Sequence, residues 1–475
     1  MKNKSNYPAG CRPLGFALLA LSLGGCAVGP DYHRPSATVS SQYKQMAGWK
    51  TAQPADLHAG GAWWQGYNDA ELSALLEQVK IANQTVAEYQ ASYEKARALV
   101  DAATAGYFPT ISASASNTRN GGNTSSSANT RSAQLSASWE MDIWGKNRRT
   151  VEEDRASAEA SQAQLAAQTL SAQSSLAQDY FQLRVMDEEI SLYQQTVEAY
   201  TRYLKIIQKQ YDVGSTSRAT LATAQTQLES ARASVLDVQW QRAQMEHAIA
   251  VLIGKPPAEF SIAARPLRYT LPQIPVGLPS ELLERRPDVA YAERNMAAAN
   301  AAIGVAKAAY YPDLTLSGSA GYSSSSWRNL LTAPNRVWSL GGELSGTLLD
   351  FGATSASVRQ ARATYDGQVA SYRQTVLSGL QEVENYLVKL HTLQAEVAVQ
   401  QRAAAAAQLA AQLAFKQYQA GMISYLTVAT SQATSLSQQQ SLMSLISSQL
   451  VTSVQLIAAL GGGWSASEQG NQTPG

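Results

Sequence analysis

Apolar positions recur on a helical period from Asn147 to Tyr211, sixty-odd residues that hold neither Gly nor Pro, so nothing there breaks a helix. Near its end Ile190, Tyr193, Val197, Tyr200, Leu204, Ile207 and Tyr211 step alternately by 3 and 4, the heptad seam of a coiled coil. At 1.5 Å per residue the predicted helix is about 100 Å long, far beyond an ordinary core helix. Gly214 offers a turn, and Leu221, Ala224, Leu228, Ala231, Val235 and Val238 resume the same spacing. This predicts a helical hairpin with its tip at Gly214 to Thr216.

On the N-terminal side, Asp69 is a candidate N-cap for a helix running to about Gly106, which Tyr107-Phe108-Pro109 stops. The period then changes to two. Ile111, Ala113 and Ala115 alternate with Ser112, Ser114 and Ser116; after a Gly/Asn/Ser-rich loop around Gly121 to Asn129, Leu135, Ala137, Trp139, Met141 and Ile143 alternate with polar residues. Two strands of about ten residues follow, the length of a transmembrane β-strand.

The pattern occurs twice. Tyr211-Asp212-Val213-Gly214 recurs as Tyr418-Gln419-Ala420-Gly421, an offset of 207 that also carries Trp144-Gly145 onto Phe351-Gly352 and Leu252-Ile253-Gly254 onto Ala459-Leu460-Gly461. A second strand pair is read at Leu314 to Tyr322 and Trp338 to Leu348. Constant register over such a length means two copies of one supersecondary unit. The second seam is small, with Ala404, Ala407, Ala411 and Ala414 where the first has bulky Tyr200, Leu204 and Ile207 nearby.

Charge and punctuation set the boundaries. Lys2, Lys4 and Arg12 precede an apolar run from Leu14 to Leu23 and then Leu23-Gly24-Gly25-Cys26, the order of a secretory leader. The ending resembles a bacterial lipobox, which implies that Cys26 becomes an acylated first residue with N-acyl and S-diacylglycerol groups, and that Ala27 directs it to the outer membrane. The expected organisation is a signal peptide at 1–25, a lipidated extended segment at 26–68, a first repeat at 69–255, a Pro-rich linker at 256–287, a second repeat at 288–464 and a polar tail at 465–475. Loss of the leader takes 37 basic against 36 acidic residues to 34 against 36, no basis for nucleic-acid binding. Cys11 leaves and Cys26 is blocked, so no disulfide within the chain is expected. No apolar run of about twenty residues follows the leader, so membrane entry by this chain means strands.

Chemistry is sparse. His33, His58, His247 and His391 are isolated, Gly145-Lys146 lacks the remainder of a phosphate loop, and no Gly-x-Ser-x-Gly elbow occurs. Neither an enzyme nor a metal site nor a cofactor is expected beyond the lipid. Strands in lipid leave no unpaired edge, and single-chain barrels begin at eight strands. Four per chain require pooling: eight from two copies, or twelve and a lumen from three. Trp139, Trp144, Trp338, Tyr322, Tyr310 and Phe351 fall at or near strand ends, as interface aromatics do.

Arg286-Pro287-Asp288-Val289 through Tyr311-Pro312, the doubled Tyr-x-x-Gly tips, the lipobox and the Leu460-Gly461-Gly462-Gly463-Trp464 ending resemble the outer-membrane efflux lipoproteins of the family that includes TolC, in its NodT-like and OprM-like branch. The resemblance implies an α+β membrane protein: a trimeric channel with a shared 12-stranded antiparallel β-barrel and a long coiled-coil α-helical barrel. It implies a homotrimer in outer-membrane lipid, a periplasmic adaptor and an inner membrane pump of RND type, with drugs or other small toxic compounds as cargo. A lipid-anchored coiled-coil adhesin or scaffold, and an exporter for type I secretion or metal efflux, are the alternatives.

The resemblance also places the periplasmic gate at the tips: Tyr211, Gly214, Arg218, Thr220 and Thr223 in the first repeat, and Tyr418, Gly421, Met422, Tyr425, Leu426, Thr427 and Thr430 in the second. Relatives often carry acidic residues six or nine positions after the tip Gly; Thr220, Thr223, Thr427 and Thr430 stand there in this chain. Arg218 is read as the only charge close to either turn. Closure is expected to rest on packing of Tyr425, Leu426 and Met422 and on hydrogen bonds.

Overall fold

The computed structural model describes residues 27–37, 39–40, 42–44, 62–122, 125–272, 274 and 285–463, the backbone alone at 122 and 125–128. The expected leader, the expected lipid-bearing Cys26, part of the linker, Trp464 and the polar tail lie outside the described residues. In chain order the helices and strands are α1 (Ala70–Ala82), α2 (Gln84–Ala105), β1 (Thr110–Gly122), β2 (Ser125–Met141), α3 (Lys146–Asp212), α4 (Arg218–Leu252), α5 (Pro287–Ala308), β3 (Asp313–Ser324), β4 (Arg336–Ser345), α6 (Ala353–Gln419) and α7 (Tyr425–Ala459).

The duplication is exact to the residue in three pairs of helices. Both α3 and α6 have 67 residues, α4 and α7 have 35, and α2 and α5 have 22. The hairpins follow the offset of 207, whereas α2 maps onto α5 at 203, Gln84 onto Pro287 and Ala105 onto Ala308. The constant register read from the sequence thus holds only beyond the strands. The second strand pair takes up the four additional residues, with short 3-10 turns at Trp327–Asn329 and Ala333–Asn335 between its strands.

The chain divides into two compact units. One draws on Met1–Ser36, Ser92–Gln162 and Tyr291–Tyr372 and contains an antiparallel sheet in the order β1-β2-β3-β4. Register sorts the two faces. Ser112 pairs with Ser136 and Ser116 with Ser132, their hydroxyls 2.9 and 2.8 Å apart, and Ser319 meets Ser339 at 2.8 Å. On the opposite face Ala113 lies across from Leu135, Leu135 from Ala320, and Ala320 from Trp338. That apolar face is open: Leu135 is 58% exposed, Trp338 75% and Leu340 82%.

The expected loop from Gly121 to Asn129 is mostly ladder, since pairing continues through Asn120↔Ala128 to Gly122↔Ser125. Gly, Asn and Ser weaken side-chain packing, but their backbone groups still pair wherever the hairpin keeps its twist. β4 ends at Ser345, short of the expected Leu348. Trp139 and Trp144 turn their indole N–H groups onto the carbonyls of Tyr107 and Pro312, at 3.0 and 2.8 Å, and Trp144 stacks on Tyr311.

In the same unit the extended stretch after Ala27 lies against helices. The Val28 N–H donates to the Trp144 carbonyl at 3.0 Å, Asn300 Nδ2 to the Pro30 carbonyl at 3.1 Å, and Asp31 pairs with buried Arg149 at 2.9 Å. Tyr32 donates to the Glu293 carboxylate.

The other unit comprises Ala37–Ala91, Ala163–Ala290 and Arg373–Gly475. Its core gathers Leu72, Leu76, Leu176, Tyr180, Leu183, Ile249 and Leu450, all fully buried. Asp69 is the N-cap, accepting from the N–H groups of Glu71 and Leu72 and from the Tyr180 hydroxyl at 2.7 Å. The single helix expected from Asp69 to Gly106 is two, divided at Asn83. Asn83 Oδ1 caps α2 at the Val86 N–H, 3.0 Å, while its Nδ2 donates to the Leu252 carbonyl at the end of α4, 2.7 Å. One side chain therefore closes the ends of two helices.

The second repeat solves the same joint differently. Arg286, the residue 203 positions after Asn83, donates to the Ala459 carbonyl at the end of α7, 3.1 Å, and ion-pairs with Asp288 at 2.6 Å and Glu382 at 2.8 Å. A cation at a helix C-terminus also opposes the negative end of the dipole. Gly254 and Gly461 allow both approaches. Each has positive φ, 69° and 96°, and an added Cβ would sit 2.1 Å from the Ala82 carbonyl oxygen or 2.2 Å from that of Arg285.

Candidate functional site

The two hairpin tips share one construction. Tyr211 and Tyr418 stand one residue before the ends of their long helices, and Gly214 and Gly421 follow at φ 73° and 74°, the left-handed conformation that a C-terminal turn requires. The N–H of Gly214 donates to the Tyr211 carbonyl at 2.9 Å and that of Ser215 to Gln210 at 2.7 Å; Gly421 and Met422 repeat this onto Tyr418 and Gln417 at 2.9 and 3.0 Å. The returning helices begin on serine. Ser217 Oγ accepts the Thr220 N–H at 3.1 Å, whereas the Thr427 N–H donates to the Ser424 backbone carbonyl at 3.2 Å and the two hydroxyls lie 3.3 Å apart.

Side chains from both repeats interlock behind the turns. Ile207, Leu221, Ala224, Ala414, Tyr425, Val428 and Ala429 form a buried cluster, with Leu204, Phe415, Tyr418 and Ile423 against it. The small seam makes room for large partners: Ala404 and Ala414 are buried, Ala407 and Ala411 half-buried, and the Tyr203 ring lies 4.2 Å from that of Phe415. Hydrogen bonds cross between repeats. The Tyr418 hydroxyl donates to Gln210 Oε1 at 2.5 Å and that of Tyr425 to Gln227 Oε1 at 2.8 Å, while Gln227 Nε2 reaches the Ala429 carbonyl at 3.2 Å. Burial pushes both phenols upward, so each remains a neutral donor across physiological pH.

Of the residues expected to close the gate together, the structure separates two kinds. Tyr425 is 4% exposed and belongs to the interlock, whereas Met422 and Leu426 are each 68% exposed. Within one chain they do not pack on Tyr425. Thr223 and Thr430 bond back to the carbonyls of Ala219 and Leu426 on their own helices, both at 2.9 Å. Arg218 is exposed, but it is not the only nearby charge: Asp212 is the last residue of α3, its carboxylate accepting from Gln208 at 2.8 Å. Its place inside the repeated Tyr-x-x-Gly turn hides it in the sequence.

Further from the tips, α3 and α7 are joined by Tyr193 with Gln440 and by Gln455 with Gln178 at 3.2 Å. No ion pair among the described residues links the two hairpins near their tips. An interlock of uncharged hydrogen bonds and small-on-large packing can shift register at low cost, because breaking a bond to water exposes no unpaired buried charge. Among the described residues, no group of three or more His, Cys, Asp or Glu is placed to hold a metal ion.

The sequence profile of the family described as outer membrane efflux protein matches residues 75–255 and 278–462. The probable efflux pump outer membrane protein TtgC of Pseudomonas putida is 30% identical over 464 residues, covering 95% of each chain. The cation efflux system protein CusC of Escherichia coli O6:H1 is 28% identical over 459 residues, 96% of this chain and 99% of that one. Among solved structures the outer-membrane channel OprN superposes with a TM-score of 0.85 at 28% identity, over 92% of this chain and all of that one.

Proposed function

The chain belongs to the outer membrane efflux protein family, and from that premise we propose that three copies assemble as the outer-membrane channel of a tripartite efflux system. The duct passively carries drugs or other small toxic compounds across the periplasm and the outer membrane. A periplasmic adaptor and an inner membrane pump of RND type supply contact and energy. The observation that carries this reading is the sheet. Among the described residues its outer strands β1 and β4 each have one partner, and its apolar face stands open beside a face of serine rungs. In hydrocarbon the free edges must be paired, and three copies supply twelve strands with a wet interior. A soluble scaffold has no use for such a face.

Cys26 carries the lipid in this reading, and the stretch after Ala27 would tie it to the protein through Val28, Pro30 and Asp31. The hairpin tips form the gate. Partner binding favours a state in which the interlock of Tyr418 with Gln210 and Tyr425 with Gln227 has slipped, a population shift rather than chemistry. The chain performs no reaction of its own. Deletion of the gene, complemented by wild type, tests the role: susceptibility to several exported compounds rises on deletion and returns on complementation. Conductance in planar bilayers tests the gate, which predicts small intermittent steps for the isolated protein; a permanently wide pore contradicts it.

A further inference from the structure

The sheet sorts its charges as sharply as its apolar residues. From Thr110 to Trp139 and from Leu314 to Gly342, the strand pairs and their loops hold four arginines, Arg119, Arg131, Arg328 and Arg336, and no Lys, Asp or Glu. Register puts three of them on the apolar face. Beyond the row Ala113–Leu135–Ala320–Trp338, away from the helices, the next row on that face is Ala115–Ala133–Tyr322–Arg336, and the one after it sets Arg131 beside Asn117 and Ser324. Arg119 lies diagonal to Arg131, about 7–8 Å away, and Arg336 is two strands and two residues from Arg131, about 12 Å. The carboxylates Glu140, Asp313 and Glu343 lie on the serine face at the helical end, where Lys146 meets Glu140 at 3.1 Å and Asp313 at 3.7 Å. Arg131 is held in place from the loop: its guanidinium stands 5.8 Å from the centroid of the Trp327 ring and donates to the Ser325 carbonyl. No ion pair among the described residues joins Arg131, Arg328 or Arg336 to a carboxylate.

We infer that Arg119, Arg131 and Arg336 form a phosphate-binding site for the phosphorylated glycolipid of the outer leaflet, lipopolysaccharide. This rests on the outer-membrane reading above and names a ligand for the outer surface of its barrel. The height is right. Arg336 is eight residues along β4 from Leu344 and Arg131 ten along β2 from Met141, about 27 and 34 Å of strand. At the tilt of a barrel strand that is roughly 20–26 Å, the top of a lipid-facing band about 25 Å tall. An arginine on such a face is costly at mid-bilayer and tolerated near the surface, so three together mark where anionic headgroups lie. What covers the arginines is continuous with what covers Leu135, Trp338 and Leu340, which calls for an amphiphile with acyl chains below and negative charge above. The cluster lies at the end of the sheet away from the helices, which assigns it to the outer leaflet and excludes phospholipid on the periplasmic side. Arginine also fits the ligand, because its planar fork binds phosphate oxygens in pairs.

Native mass spectrometry of the full-length protein in detergent, titrated with rough-type lipopolysaccharide and with the same lipid after phosphatase treatment, tests this. The wild type should bind the intact lipid at least about tenfold more tightly than the dephosphorylated one, as charge-assisted hydrogen bonds require. The double variant Arg131→Gln/Arg336→Gln should lose that preference while keeping its oligomeric mass and its affinity for the dephosphorylated lipid. Arg336→Gln alone, which breaks no ion pair within the chain, should lose part of it. Equal affinity of the wild type for the two lipids would overturn the inference without any variant having to fold. Competition by phosphatidylglycerol at the same concentration as the intact glycolipid would also overturn it, leaving a general anionic-lipid surface. In both cases an oligomer of three chains keeps the channel reading; a monomer that binds no lipid removes both.

Discussion

The two repeats build the same backbone joint from different side chains. At the first, neutral Asn83 links the end of α4 to the start of α2; at the second, Arg286 does so with Asp288 and Glu382. What is shared is the space for a carbonyl against a glycine with positive φ, at Gly254 and Gly461. Geometry at this joint is therefore the strict requirement, and the polar group that fills it is adjustable. The hairpin tips differ in the opposite sense. Gly214 and Gly421 have the same positive φ, but an added Cβ at either meets nothing within 4 Å.

That contrast is broken most strongly at the joints. Gly254→Ala or Gly461→Ala drives a methyl group into a backbone carbonyl as well as straining φ, and should abolish assembled protein in the outer membrane, read by immunoblot of unheated samples. Gly214→Ala should cost only the strain of a left-handed residue, about 1 kcal/mol, and leave assembly normal. Equal losses at joint and tip would show that crowding is not the cause.

The side chains of the joint come next. Arg286→Met removes a buried cation from two carboxylates that are themselves partly solvated, and should destabilise by about 3 kcal/mol, the low end for a broken buried pair. Asn83→Ala should cost about 1–2 kcal/mol for two lost caps. Denaturant titrations in detergent separate them, and only the second joint should be sensitive to salt in the wild type. Smaller still, Tyr418→Phe removes one bond to Gln210, about 1 kcal/mol, and should raise the frequency of opening without changing the fully open conductance.

The smallest effect is a titration. Burial pushes the carboxyl of Asp179, on α3, up to about 6. The folded chain thus holds its proton more tightly than the unfolded chain, so the contribution to stability is full below about pH 4 and declines until about pH 6. Asp179→Asn should raise the melting temperature slightly at pH 7.5 and leave it unchanged at pH 4; an equal rise at both would assign the effect to packing.

Much of this was legible in the sequence, for definite reasons. The first long helix lacks Gly and Pro until its tip, so predicted ends at Asn147 and Tyr211 fall one residue inside the observed Lys146–Asp212. The period-two faces at Ile111 to Ala115 and Leu135 to Met141 are those of the sheet. What escaped depends on contacts distant in sequence. The break at Asn83 has no Pro or Gly to mark it and exists because a carbonyl 169 residues away needs a donor. Strand pairing through Asn117 to Asn120 is set by the partner strand, not by propensity. The pairing of Asn83 with Arg286 was hidden because the repeat register changes from 207 to 203 on crossing the strands. At the tips, Tyr425 and Leu426 are neighbours in sequence, yet one is buried and the other exposed, since a helix turns about 100° per residue.

The central claim is that the free edges of a four-stranded sheet are closed by other copies of the chain. Electron cryomicroscopy of the full-length protein in lipid nanodiscs, viewed down the membrane normal, tests it most directly. Threefold symmetry with twelve strands around an open bore is the predicted result; a single copy, or a closed barrel of eight strands from two, would contradict it.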